Sequence, residues 1–114
     1  DIFIKASKES GLDPKFIFSL ASLESGFGKS SIARNKNNYF GIAAYNASPE
    51  QSAQQFDGGL ESGIVTGAVW ISKNYSYNGT ITLEKMQYGE KTYCQTSNGN
   101  PNPIWITQLL SLMN

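Results

Sequence analysis

The stretch Leu20-Ala21-Ser22-Leu23-Glu24-Ser25-Gly26-Phe27-Gly28-Lys29-Ser30, running on to Asn37-Asn38-Tyr39-Phe40, decides how the chain is read. On a helical wheel at about 100° per residue, Phe16, Ile17, Leu20, Ala21, Leu23 and Phe27 share one arc, and Glu24 projects into its middle. Lys15, Ser19, Ser22 and Ser25 fall on the opposite side. Gly26 and Gly28 end this helix in a left-handed cap, so Glu24 also stands in the last turn, at the negative end of the dipole. Desolvation and that negative end both disfavour a carboxylate and raise its pKa toward neutrality. The wheel leaves two readings open: a proton donor, or a rim glutamate paired with Lys29 or Arg34 across the turn.

Composition narrows the chemistry around this acid. The chain has 114 residues, enough for a single domain with a modest core, and no low-complexity stretch divides it. Nine basic and nine acidic residues are interspersed at zero net charge, which offers no electrostatic footprint for nucleic acid or an anionic membrane. No apolar run approaches the roughly 18 residues of a membrane span, and no basic start leads into a signal-like apolar segment. The chain opens directly in a helical pattern, as a domain cut from a longer protein would.

Histidine is absent, which removes Ser-His and Cys-His nucleophile pairs and every histidine-containing zinc site. Cys94 alone makes no internal disulfide and reads as a small semi-buried hydrophobe rather than a nucleophile. No metal or cofactor is expected. Any proton chemistry falls mainly to carboxylates and tyrosines.

Outward from the opening stretch, the chain reads as mostly helical with one small β-hairpin. Residues 2–10 place Ile2, Phe3, Ala6 and Ser10 on one side, and Gly11 ends that helix. Asp13-Pro14 supplies an N-cap and a proline at the first position of the helix that carries Glu24. A short third helix capped by Ser30 or Ser31 extends to about Asn35. Residues 39–45 have strand content, Asn46-Ala47-Ser48-Pro49 is a turn, and residues 52–56 return as a partner strand.

From Gly58 to about Tyr77, Leu60, Ile64, Ala68, Ile71 and Tyr75 recur at helical spacing, with Val65, Val69 and Trp70 widening the apolar surface. Thr80 or Thr82 caps a short helix through Met86, and a polar loop covers residues 89–100. Asn102-Pro103 opens a last helix with Ile104, Ile106, Leu109, Leu110, Leu112 and Met113 as its apolar residues. The expected fold class is thus mainly α, with five to six helices.

Sorting the carboxylates leaves Glu24 with Glu50, Asp57 and Glu61 around the hairpin, the last three reading better as surface charges or helix starts. Glycoside cleavage needs a proton donor for the leaving oxygen and a group that stabilises positive charge on the sugar; Glu24 fits the first role. The second falls to a hairpin carboxylate or to an N-acetyl group of the substrate itself. Tyr39, Phe40 and Tyr45 flank the presumed cleft, where flat rings with polar handles pack on sugar faces. Plain hairpin packing suits Phe40 better than Tyr45. Trp70 reads as core, and Trp105 as either core or sugar platform.

At residues 23–30, Leu-Glu-Ser-Gly-Phe-Gly-Lys-Ser, then Ile32-Ala33 and Asn37-Asn38-Tyr39-Phe40-Gly41-Ile42, the chain resembles bacterial and phage glucosaminidase domains of glycoside hydrolase family 73, in the branch of autolysins and cell-separating wall hydrolases. The likeness continues through Ala44-Tyr45-Asn46, Phe56-Asp57, Gly63-Ile64, Trp70-Ile71, Asn74-Tyr75, Gly79, Tyr93 and Pro103-Ile104-Trp105, nearly the whole chain. A lone Glu-Ser pair is shared with lytic transglycosylases and goose-type lysozymes; the ordered series is far more specific.

The resemblance implies a lysozyme-like fold and cleavage of a β-1,4 bond of peptidoglycan, after N-acetylglucosamine in most of the family. It implies Glu24 as general acid and Tyr93 near the cleaved bond, with Tyr39, Tyr45 and Asn46 along the glycan groove; Phe40, beside Tyr39, is taken with them as a substrate contact. The implied partner is the glycan strand, met by a domain that is monomeric in isolation and works in the wall, outside the cell or on a phage virion.

Two departures bear on the mechanism: Asn46 stands where relatives often have Asp, and Cys94-Gln95-Thr96 where they have Ala-Ser/Thr-Asp. Both weigh against two protein carboxylates. They favour participation by the N-acetyl group, or a lytic route in which Glu24 closes an anhydro ring. Muramidase cleavage and a catalytically weakened glycan-binding module are the other readings.

Overall fold

Helices begin in this chain where a short polar side chain can hold otherwise unpaired backbone N–H groups. The Asp1 carboxylate accepts from Phe3 N at 2.7 Å and opens α1 (Ile2–Ser10), which Gly11 closes in the left-handed conformation. Asp13 accepts from Lys15 N at 2.8 Å, and with Pro14 it starts α2 (Pro14–Ser25), closed by Gly26 at φ 60°. Ser30 Oγ accepts from Ala33 N ahead of α3 (Ser31–Lys36). The long α4 (Gly59–Tyr75) starts from Gly58 without a side-chain cap, and Thr82 caps α5 (Leu83–Tyr88). Asn102 Oδ1 takes Ile104 N at 3.1 Å at the entrance to α6 (Trp105–Met113).

The computed structural model describes residues 1–42, 58–76 and 80–114. Among these, α1 packs along α4 and α2 along α6, with an antiparallel bridge between Gln95 and Pro101. Ile17, Leu20, Phe40, Ile64, Ile71, Met86, Trp105 and Leu109 form the fully buried centre. The mainly helical expectation holds.

The segment after α3 departs from the strand expected at residues 39–45. Asn38, 1% exposed, folds residues 38–42 into a turn: its Oδ1 accepts from Phe40 N and Ile42 N, and its Nδ2 donates to Ile42 O at 2.9 Å. A side chain that takes three local backbone groups leaves none of them for a strand ladder. The rest of the expected hairpin, with Tyr45 and Asn46, Glu50 and Asp57, lies outside the described residues.

Two small residues of α4 let this turn dock. A Cβ at Gly63 would strike the Asn37 carbonyl, and one at Gly67 would come within 2.5 Å of the Phe40 ring. Phe40 is 1% exposed as a result, so the ring expected among the substrate contacts is core instead.

The wheel of α2 needs three corrections. Phe27 lies beyond the helix end at φ 59°, which swings it off the apolar arc to 69% exposure. Ser25 is buried, because its hydroxyl donates back to Ala21 O and accepts from Gly28 N. Ser19 is buried as well, and its Oγ meets no partner among the described residues. Elsewhere Leu60, Ile104, Leu110 and Leu112 are exposed apolar positions that spacing alone had assigned to buried faces.

Because the obstruction at Gly63 is backbone, it cannot turn aside as a flexible side chain would. Gly63→Ala is expected to destabilise the fold by about 1–3 kcal/mol in chemical denaturation, the usual cost of overpacking. A Gly63→Ala protein as stable as the parent would contradict this close approach.

Candidate functional site

Glu24 leaves the last turn of α2 on a carboxylate that α6 grips from across the fold. The Trp105 indole N–H donates to Glu24 Oε1 at 2.8 Å over a separation of 81 residues. The local backbone is fixed by the turn that follows: Phe27 N donates to Ser22 O, Gly28 N to Ser25 Oγ, and Ser30 N to Ser25 O. The other carboxyl oxygen, Oε2, faces Gly41, where even an added Cβ would stop 3.8 Å away. The two carboxyl oxygens are thus distinct: Oε1 takes the indole N–H, and Oε2 lies on the side of the Gly41 backbone.

Burial pushes the Glu24 carboxyl above its ordinary value of 4.5, and the Trp105 hydrogen bond pulls in the other direction. The upward push wins. A charge-assisted hydrogen bond offsets about 1.5–3 kcal/mol, less than a carboxylate loses when water is withdrawn from it. Neither cause is another charged group, which disposes of the rim pairing with Lys29 or Arg34: the acid is held by an indole and by its own burial.

Tyr93 stands beside this pair. Its ring stacks on Trp105 at 5.3 Å and meets Tyr75 edge-on at 5.1 Å, and Tyr75 in turn lies 6.2 Å from Trp70. Its hydroxyl donates to the Phe40 carbonyl at 2.7 Å, tying the loop before α6 to the Asn38 turn. The phenol is pushed well above its ordinary value of 10.0, first by burial and then by the Glu24 charge, with Tyr75 and Cys94 adding to it. Cys94 is half-buried and its thiol is raised by burial and by Glu24, so the thiolate that nucleophilic work requires is suppressed.

Of the residues expected from sequence, the fold therefore gathers Glu24, Tyr93 and the Phe40 carbonyl. Half-buried Tyr39 lies over the glycine turn, 3.9 Å from where a Cβ of Gly28 would sit. Tyr45 and Asn46 fall outside the described residues. Glu61 is on the surface in an ion pair with Lys5 at 3.4 Å, as its surface reading required. Trp105 was the residue sequence reasoning left undecided; its signal was an aromatic with a polar N–H at the first position of a helix. Asn38 was missed as an organiser, although a buried asparagine before a glycine turn has that capacity. Among the described residues no cluster of three or more His, Cys, Asp or Glu side chains is placed to hold a metal ion.

Over residues 1–114 the chain matches the family model Glucosaminidase, described as mannosyl-glycoprotein endo-beta-N-acetylglucosaminidase. Two Streptococcus pneumoniae proteins named as endo-beta-N-acetylglucosaminidases, from strains TIGR4 and R6, are each 32% identical over 111 residues. Those matches take in 97% of this chain but only 16% and 15% of the two relatives, so the chain spans about a sixth of their length. The fold is that of Staphylococcus aureus autolysin E, with a TM-score of 0.71 over 98% of this chain and 55% of that one at 23% identity. That protein has been solved with a muropeptide, and a catalytic mutant of it with a NAG-NAM disaccharide, the mutant at 22% identity and the same TM-score.

The opposing influences on Glu24 make a signed expectation. Trp105→Phe keeps a flat ring over the acid and removes the N–H that favours its charged form, so the carboxyl should titrate at a higher pH than in the parent. Carbon-13 carboxyl NMR of Glu24 measures this directly. A midpoint that stays put or falls would show that the indole does not bear on the charge.

Proposed function

Since the chain belongs to the glucosaminidase family, we propose that it is a peptidoglycan hydrolase, an endo-β-N-acetylglucosaminidase that cuts the β-1,4 bond following N-acetylglucosamine, with Glu24 as general acid. The observation that carries this reading is the carboxyl of Glu24, raised by burial and held at one oxygen by Trp105, with the other oxygen left clear beside Gly41. Such a group is protonated further toward neutral pH than an exposed glutamate, and it can give its proton to a leaving glycosidic oxygen. Once the proton has gone, the indole N–H stabilises the carboxylate in place, ready to take a proton from water.

Support for the substrate comes from the relatives' name and from the sugars bound to autolysin E. Among the described residues, Asp1 and Asp13 cap helices and Glu61 pairs with Lys5 at the surface. The departures at Asn46 and Cys94-Gln95-Thr96 favour a route in which the N-acetyl oxygen of the sugar closes on the anomeric carbon as the leaving oxygen takes the Glu24 proton, and water then opens that ring. Tyr93 acts as a positioning group: its one hydroxyl proton is spent on Phe40 O, and burial and the Glu24 charge push its pKa well above the ordinary value. Tyr39, Tyr45 and Asn46 line the glycan groove. No helix of the described residues is long and apolar enough to cross a membrane, and the site of action is the wall outside the cell.

Mass spectrometry of digested peptidoglycan tests the bond. A reducing N-acetylglucosamine end is expected; a 1,6-anhydromuramyl end would assign a lytic transglycosylase instead, and a reducing N-acetylmuramic end a muramidase. A protein that sediments with walls and releases nothing would be a binding module.

Glu24→Gln supplies a second test with two readouts. Activity should fall by about 10²–10⁴-fold, the usual share of a general acid. Stability should rise at neutral pH. The folded carboxyl is raised above its unfolded value, so the native state binds more protons between the two and loses stability as pH climbs through that window above 4.5. Glutamine keeps an oxygen for Trp105 and has no charge to bury. Melting curves of parent and variant should diverge as pH rises from 4 to 8, and parallel curves would contradict a desolvated acid.

A further inference from the structure

Gln87, in the last turn of α5, is fully buried and is not among the groups assigned to the site above. Its side-chain amide is saturated: Nε2 donates to Cys94 O at 2.7 Å and Asn102 O at 2.9 Å, and Oε1 accepts from Cys94 N at 2.9 Å. The reversed amide would set an oxygen against two carbonyl oxygens, so this orientation is the one the surroundings permit. The three bonds pinch together the two ends of the loop, which also bond to each other through Asn102 N and Cys94 O at 2.9 Å. Tyr93 adjoins one end. At the other, the Asn102 carbonyl accepts from Trp105 N at 3.4 Å, and the Asn102 side chain fixes Ile104. The two stacked rings beside Glu24 therefore adjoin a junction held by three bonds from one amide and by the backbone bond between its ends.

We propose that Gln87 is the positioning residue of the site: by clamping Cys94 to Asn102 it sets the stacked Tyr93–Trp105 pair and aims the Trp105 N–H at Glu24. Its catalytic consequence rests on Glu24 being the general acid; its structural part does not. A buried glutamine with three satisfied bonds is costly to remove, so lost stability by itself would not distinguish a positioning role from a merely structural one.

The readout is Trp105 itself. In a Trp70→Phe background Trp105 is the one tryptophan left, and its indole touches a titrating carboxyl, so its emission should show a pH step that Glu24→Gln removes. Tyr93 and Cys94 also sense Glu24, but their own ordinary values of 10.0 and 9.0 are both raised, which keeps them out of the acid and neutral range. Gln87→Met, which keeps length and loses all three bonds, is expected to lose at least half of the step amplitude. On peptidoglycan it should lower kcat by about tenfold or more with KM within about twofold, since displacement of roughly 1 Å suffices for such losses.

Gln87→Glu guards against a methionine variant that does not fold. It keeps the acceptor for Cys94 N and, while protonated, one donor, so the step should be retained at acid pH. As the new carboxyl ionises against two carbonyls, emission and activity should both drop. A folded Gln87→Met with the parental step and kcat, or a Gln87→Glu with parental pH behaviour, would overturn the proposal. The emission step is read without substrate, so it decides the positioning whether or not the wall-cleaving assignment survives.

Discussion

The hydrogen bond from the Trp105 indole to Glu24 Oε1 ties the first quarter of the chain to its last ten residues. Almost everything else in the described structure can be read as what allows that bond to exist. Helix α2 has to end one residue after the acid, or Glu24 would sit mid-helix with another turn over it; Gly26 ends it, and Ser25 locks the exit. Helix α6 has to start at Trp105 with the ring turned inward, which the Asn102 cap and the packing of α6 on α2 achieve. The bond also carries a cost, because it requires a carboxyl to leave water.

A second constraint comes from α4. Its glycines at 63 and 67 admit the Asn38 turn so closely that the Phe40 ring fills the space where a side chain would be. Burying Phe40 presents its carbonyl outward to the Tyr93 hydroxyl, and Gly41 follows beside Glu24 Oε2. Packing and chemistry meet in this segment: the ring belongs to the core, the carbonyl anchors the aromatic wall, and the next residue is the glycine beside Glu24 Oε2. A ring counted among the substrate contacts is thus core, and its backbone carbonyl is what meets Tyr93.

These observations explain what sequence could and could not show. The caps at Asp13, Ser30 and Thr82 and the stops at Gly11 and Gly26 were legible because they depend on neighbours within four residues. Glu24 was legible as an acid in an apolar arc, since that is periodicity. Trp105 was not assignable, because its partner lies 81 residues away and no local pattern encodes such a pairing. Ser25 defeated the wheel, since a hydroxyl that bonds its own helix can be buried at little cost, and a wheel counts every serine as polar; Ser19 is buried without such a bond. Residues 39–42 had strand composition, yet one asparagine side chain outcompeted pairing, a local contest that propensity averages away. The family likeness is what points to Glu24 as the proposed general acid, while the indole that holds its carboxyl is seen only in the fold.

The identity of the partner at Glu24 matters more than its distance. An arginine or lysine in the position of Trp105 would also donate a hydrogen bond, but its full positive charge would hold the carboxyl ionised and leave it without a proton to give. A purely apolar wall would keep the proton and offer nothing to the carboxylate formed once it has left. The indole lies between these extremes: it has one neutral donor, too weak to reverse the effect of burial and directed enough to receive the charge when it appears. It has no acceptor with which to compete for the acid's proton. A general acid of the kind proposed for Glu24, neutral before the reaction and charged after it, is best served by a partner that favours the second state by less than desolvation favours the first. In a chain without histidine, a half-buried glutamate against a tryptophan meets that condition with two side chains.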